Sequence, residues 1–179
     1  MRSASLALLV FALPALAQDK GKEVVVKVGS LKATAPADWK SEKPANRLRS
    51  HQFKLPAAPD HVEAEVIVMP ESRPDAEKEF PRWKATFVAP EGKTTAELGK
   101  ASKWDVKGAT VSVLDVTGTW KYKERPFDPK SKEELKDNYR VVWVVVAEKD
   151  EATHIRISGP AQTVEKHMKA FEAWVRSLM

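Results

Sequence analysis

The sequence predicts an α+β fold, a mostly antiparallel β-sheet with helices packed on it, and three observations carry that expectation. Residues 139–147 are apolar on both alternating faces, with Tyr139, Val141, Trp143 and Val145 on one and Val142, Val144 and Val146 on the other. A strand of that kind sits centrally in a sheet covered on both sides. Near the C-terminus, Val164, Met168, Phe171, Val175 and Leu178 recur at intervals of 4, 3, 4 and 3, the apolar stripe of an amphipathic helix. Before both lie several β-rich runs punctuated by glycine and proline, the pattern of antiparallel pairs.

Taken in order, residues 24–28 and 31–35 are predicted to form a hairpin across Gly29-Ser30, and Pro36-Ala37-Asp38-Trp39 a turn carrying an aromatic ring. Residues 47–54 and 62–69 make a second pair, joined by a loop containing Pro56 and Asp60. Alternation puts Val62, Ala64, Val66 and Val68 on one face and His61, Glu63 and Glu65 on the other. Arg47, Arg49 and His51 share a face of the preceding strand, so basic and acidic rows can meet across the pair.

A helix is expected over residues 75–87, where Ala76, Phe80, Trp83 and Phe87 are spaced 4, 3 and 4 apart. Pro81 interrupts it. An interior proline loses a hydrogen bond and costs about 3 kcal/mol, so the segment either kinks or starts properly at Pro81. Strands follow at 103–107 and 109–120, turning at Gly108, then at 139–147 and 152–158. The last of these points Thr153, Ile155 and Ile157 one way and His154 and Arg156 the other. Gly159-Pro160 opens the terminal helix, with Trp174 beside its stripe and Glu165, Lys166, Lys169, Glu172 and Arg176 on the solvent side. Residues 121–137 remain as a long irregular connection holding six basic and five acidic residues with Pro126 and Pro129. Structureless loops beyond about 12–15 residues are usually functional or disordered, which makes this segment a candidate contact surface.

The N-terminus carries an address. Arg2 precedes an apolar run from Leu6, then Pro14 and the small-residue exit Ala15-Leu16-Ala17, the order of a secretory signal cleaved between Ala17 and Gln18. The run is too short for a spanning helix, which needs about 20 apolar residues. The expected product is a single secreted or periplasmic domain over residues 18–179, with no transmembrane span. The chain has no cysteine, so disulfides, thiolate metal sites, a cysteine nucleophile and lipid attachment at cysteine are excluded. Six tryptophans, at 39, 83, 104, 120, 143 and 174, supply a core that needs no disulfides. Loss of Arg2 lowers the formal net charge of +5 by one, and the remaining charges are interspersed, so no nucleic-acid partner is expected.

No G-x-S-x-G, H-E-x-x-H, P-loop or G-x-G-x-x-G motif occurs. Local metal-ligand candidates are His61, Glu63 and Glu65 on one predicted strand face, with His51 across from them, an imidazole and carboxylate set of the kind zinc accepts. The same residues also read as the salt-bridged outer face of a hairpin, with Arg47 and Arg49 as partners. Lys40, Lys43, Arg47 and Arg49, broken by Glu42, form the strongest local positive cluster: a contact for a polyanion or envelope surface, or a solvated face.

The early strand followed by Pro36-Ala37-Asp38-Trp39, and the ending from Ile157-Ser158-Gly159-Pro160 through Val164 and Phe171 to Ser177-Leu178, resemble the PsbP and Mog superfamily. That resemblance spans most of residues 18–179 and implies an α/β/α sandwich. The superfamily includes extrinsic photosystem proteins, Ran-binding import factors and exported bacterial proteins without an assigned role. No motif here carries over photosystem or GTPase binding, and a fold alone assigns no function. The expectation from sequence is therefore an exported, non-catalytic binding or interaction domain, needing no cofactor, for a protein or envelope component. The alternatives are a hydrolase-like enzyme with a non-local site around His51, His61 or His154, and a weak metal-binding protein.

Overall fold

A strand apolar on both faces demands cover on both, and in the computed structural model it has it. Residues 23–71, 75–125 and 128–179 are described; the predicted leader, residues 1–17, lies outside them. The elements run β1 (Val25–Val28), β2 (Leu31–Thr34), β3 (Lys40–Glu42), β4 (His51–Leu55), β5 (Ala64–Glu71), α1 (Ala76–Lys84), β6 (Lys100–Val106), β7 (Ala109–Lys123), β8 (Glu133–Ala147), β9 (Ala152–Pro160) and α2 (Ala161–Arg176). β1 and β2 form a separate hairpin; the other seven strands form one sheet in the order β3-β4-β5-β9-β8-β7-β6. Every pairing in it is antiparallel, so the α+β class read from the sequence holds.

One face is built from β-branched rows that run across the central strands. Val66 pairs with Ile157 and Val68 with Ile155, and those isoleucines pair in turn with Val142 and Val144. The α2 stripe and the β1–β2 hairpin close over this row, with Val164, Phe171, Trp174, Trp39 and Phe53 all buried there. Trp39 lies 5.1 Å from Trp174 and 5.5 Å from Phe53. Each such apolar side chain contributes about 1.5–3 kcal/mol on burial. Arg140 grips Asp115 through two hydrogen bonds, of 2.9 and 2.6 Å, and also reaches Glu165 on α2. Met179 exchanges backbone hydrogen bonds with Lys32, which ties the chain end to the hairpin. Where β9 runs into α2, a Cβ on Gly159 would lie 2.8 Å from the Cβ of Ala64, so only glycine allows that approach.

The opposite face carries α1. Trp83 stacks on Trp143 at 5.4 Å with the planes 7° apart, and Phe87, Leu114, Val116, Trp120, Val141 and Val145 are buried around them. Pro81 lies inside α1, which begins at Ala76, and the helix ends at Lys84 rather than reaching Phe87. The amides of Ala85, Thr86 and Phe87 close a turn onto the carbonyls of Pro81, Trp83 and Lys84. Phe87 then bridges to Trp120.

Several boundaries differ from expectation. The second predicted pair starts later: β5 begins at Ala64, leaving Val62 exposed in the preceding loop, and β4 begins at His51, leaving Arg47 and Arg49 in the β3–β4 connection. The irregular connection expected over 121–137 is shorter, since β7 runs to Lys123 and β8 starts at Glu133, leaving 124–132 between the strands. Its strand character was hidden because residues 133–138, apart from exposed Leu135, are polar and largely exposed, without an apolar alternation.

This long β7–β8 arm does not stay in the plane of the sheet. The register shifts between Gly118 and Trp120, close to Asn138 at φ +52°, and such an irregularity bends and twists a ribbon. The bent arm is clipped to the segment after α1, where Val88 N–H donates to Thr119 (2.9 Å) and Lys121 N–H to Thr86 (2.8 Å). Trp120 and Tyr122 are thereby laid on the α1-side face. Among the described residues, no helix is long and apolar enough to cross a membrane.

Candidate functional site

The bent arm leaves part of the α1-side face uncovered by helix, and a cavity of about 570 Å³ opens there. Its floor is Ile67 and Met69 from β5 with Arg156 from β9. One wall is the β3–β4 connection, with Asn46, Arg47, Leu48 and Arg49; the other is the end of the arm, from Tyr122 to Arg125, together with Asp128. A shallower depression of about 420 Å³, between the β6–β7 and β8–β9 turns, is lined by Lys107, Gly108 and residues 148–151. That one is a groove between hairpin ends whose charged side chains are largely solvated.

Each wall is held by specific bonds. Asn46 caps its own turn, its Oδ1 accepting from Leu48 N–H at 3.0 Å, an Asx-type turn. The buried Gln52 carbonyl accepts from Ala45 N–H and from Arg49 Nη1, both at 2.9 Å, and fixes the guanidinium of Arg49 at the cavity edge. On the other side, Trp120 donates its indole N–H to Thr86 Oγ1 at 3.2 Å, and Tyr122 packs edge-on against Trp120 at 5.1 Å.

At the base sits an unequal charge group. Glu65 Oε2 lies 3.2 Å from Arg49 Nη1, and Glu65 Oε1 lies 3.6 Å from Arg156 Nη2. Arg156 also rests over the Trp120 ring at 5.4 Å, a cation–π contact. Two guanidiniums share one carboxylate, so the group carries one uncompensated positive charge while all three side chains are largely buried. Arg156 Nε is buried with no hydrogen-bond partner among the described residues. An unmade buried bond costs about 1–3 kcal/mol, and more for a charged donor. Burial pushes the Arg156 guanidinium below the usual arginine range, with the Glu65 carboxylate opposing. Burial, and then the Glu65 carboxylate, push the Tyr122 phenol up, so it stays protonated.

The four metal-ligand candidates do not come together. His61 and Glu63 are exposed in the loop before β5, Glu65 is paired with Arg49 and Arg156, and His51 lies on the opposite face of the sheet, stacked 6.3 Å from Phe53. Burial lowers the pKa of His51. Among the described residues no three histidine or acidic side chains are grouped as metal ligands would be. Nor do the histidines of the hydrolase reading converge, because His154 shares the sheet face of Met69 and meets Trp83 at 5.5 Å, His51 lies on the other face, and His61 is exposed in the loop before β5. The predicted cross-strand charge complementarity survives in the Arg49–Glu65 pair.

The sequence offered Arg47 and Arg49 as partners of the face that carries Glu65, and placed Arg156 on the face away from Ile155 and Ile157. It missed their convergence with Tyr122. One signal was present: a lone arginine on a strand with isoleucines on its other face needs a partner if its neighbours cover it. No protein-family model matches the chain, and no curated protein matches it. Among solved structures, the crystal structure of PA94, a protein of unknown function from Pseudomonas aeruginosa, is similar at 16% identity over 89% of this chain and 97% of that one, with a TM-score of 0.45.

Proposed function

We propose that this chain is an exported, non-catalytic binding domain whose ligand occupies the cavity between the β3–β4 connection and the β7–β8 arm. The observation that carries the proposal is the Arg49–Glu65–Arg156 group at the base of that cavity, a buried charge imbalance that a bound partner would relieve. The described lining sets Arg49, Arg156 and Asn46 beside Leu48, Ile67 and Met69, a few polar groups over an apolar floor, which supports binding. Its volume falls within the roughly 300–1,000 Å³ usual for small-molecule sites.

Export rests on the leader pattern ending at Ala17, and places the domain in the periplasm or outside the cell. The helices on opposite sheet faces support an α/β/α sandwich of the PsbP and Mog kind. The first part of the 121–137 segment, the candidate contact surface, forms one cavity wall in this reading.

Expression of the full chain with its own leader tests both parts. The extracytoplasmic protein should begin at Gln18, and gentle native mass spectrometry should show a retained small molecule. Met69→Trp fills the cavity floor and should abolish that adduct while leaving the fold intact. An adduct unaffected by Met69→Trp, or no adduct in the wild type, would contradict the cavity as binding site.

A further inference from the structure

We propose that the cavity takes a small, free organic oxyanion, a carboxylate or a phosphate monoester, with its charged end on Arg156 and Arg49 and its apolar body on Ile67, Met69 and Leu48. This assignment rests on the binding reading above and names the ligand's chemistry.

Donor capacity favours an oxyanion. Arg49 Nη1 is already shared between Gln52 and Glu65, at 2.9 and 3.2 Å. Arg156 is not saturated: its nearest carboxylate oxygen is 3.6 Å away, longer than a good hydrogen bond, and its Nε is buried without a partner among the described residues. A planar guanidinium fork matches carboxylate and phosphate oxygens in pairs. A second oxyanion beside Glu65 would make two cations face two anions. Burial that disfavours the charged form of Arg156 agrees with this, since an added negative charge offsets that penalty.

The rest of the cavity says the anion is organic and compact. Ile67 and Met69 form an apolar floor, and Leu48 is 55% exposed at the rim. An inorganic ion on Arg156 would leave that surface wet, whereas an aliphatic or aromatic body would cover it. Glu124 and Asp128 stand on the arm wall beside Lys123 and Arg125. Asp128 there is paired with Arg125 at 3.2 Å, and the cavity's volume of about 570 Å³ sets the size of the ligand.

The test is a titration of the full chain, followed by two-dimensional NMR, with benzoate, phenyl phosphate, inorganic phosphate and the neutral isostere benzamide. Benzoate or phenyl phosphate should shift the Trp120 indole and the Arg156 side-chain resonances while the Trp83 indole stays put; whichever binds tighter identifies the oxyanion. Benzamide and inorganic phosphate should each bind at least about tenfold more weakly, as expected for loss of a charge-assisted pair or of the apolar body. Arg156→Met should abolish binding. Arg156→Lys keeps the charge, removes the fork, and should weaken binding about tenfold with an unchanged thermal unfolding curve. Equal binding of benzamide and benzoate at these resonances would overturn the oxyanion assignment and leave the cavity standing as a binding site. No shift with any probe would overturn it as well, and the Met69→Trp adduct experiment then judges the binding reading separately. Sedimentation with phosphatidylglycerol vesicles separates a lipid headgroup from a free acid. Pelleting that disappears in Arg156→Lys would overturn the free-ligand assignment.

Discussion

Arg156 and Gly159 sit three residues apart on β9 and show two different demands on single positions. Alternation alone placed Arg156 opposite Ile155 and Ile157, so its face was legible in the sequence. Its partners were not, because Glu65 belongs to a strand far away in the chain that becomes a neighbour only when β9 inserts between β5 and β8. Gly159 was expected to open the helix but lies within β9, paired with Arg140, and the reason for glycine is tertiary: the Cα of Ala64 lies 2.9 Å from where a Cβ would be. That backbone contact cannot yield by side-chain rotation. Gly159→Ala is therefore expected to destabilise the protein by about 1–3 kcal/mol, the usual range for overpacking. Urea unfolding of the variant checks it, and a midpoint equal to wild type would mean the β9–α2 junction can move.

At the scale of elements, the β7–β8 arm decides whether there is a cavity at all. Its first strand was legible up to Trp120 and its second from Tyr139, where β-branched and aromatic residues dominate. The distal part was read as irregular because its strand is polar on both faces and is held by ladder bonds rather than by burial. The bend had no sequence signal, since it depends on a register shift and on the clip between Thr86–Val88 and the arm. Trp120 is the pivot, buried against Phe87 and Tyr139 and bonded to Thr86. Trp120→Ala should cost about 3 kcal/mol or more, as large-to-small aromatic changes in cores do. More tellingly, the Lys121 amide, which donates to Thr86, should lose its hydrogen-exchange protection while β9 amides keep theirs. Retained protection at Lys121 would show that the arm is held by something other than this pivot.

For the whole molecule, composition and periodicity were enough to give the class and the need for cover on both faces of the sheet. The doubly apolar β8 and the amphipathic α2 behave as their patterns require. What stayed out of reach was the unequal covering of the second face. α1 is only nine residues long and packs on one part of it, and the remainder is left to the arm and the β3–β4 connection. The candidate site lies in that remainder, assembled from the β3–β4 connection, β5, the arm and β9, none of which carries a recognisable motif. The most direct measurement is a crystal structure of the protein purified gently from the cells that make it, so that any small molecule it binds is retained. The expected result is a bound molecule between Leu48 and Tyr122 with an oxygen within hydrogen-bond distance of Arg156; a bound molecule elsewhere, with solvent alone beside Arg156, would contradict the assignment of this cavity.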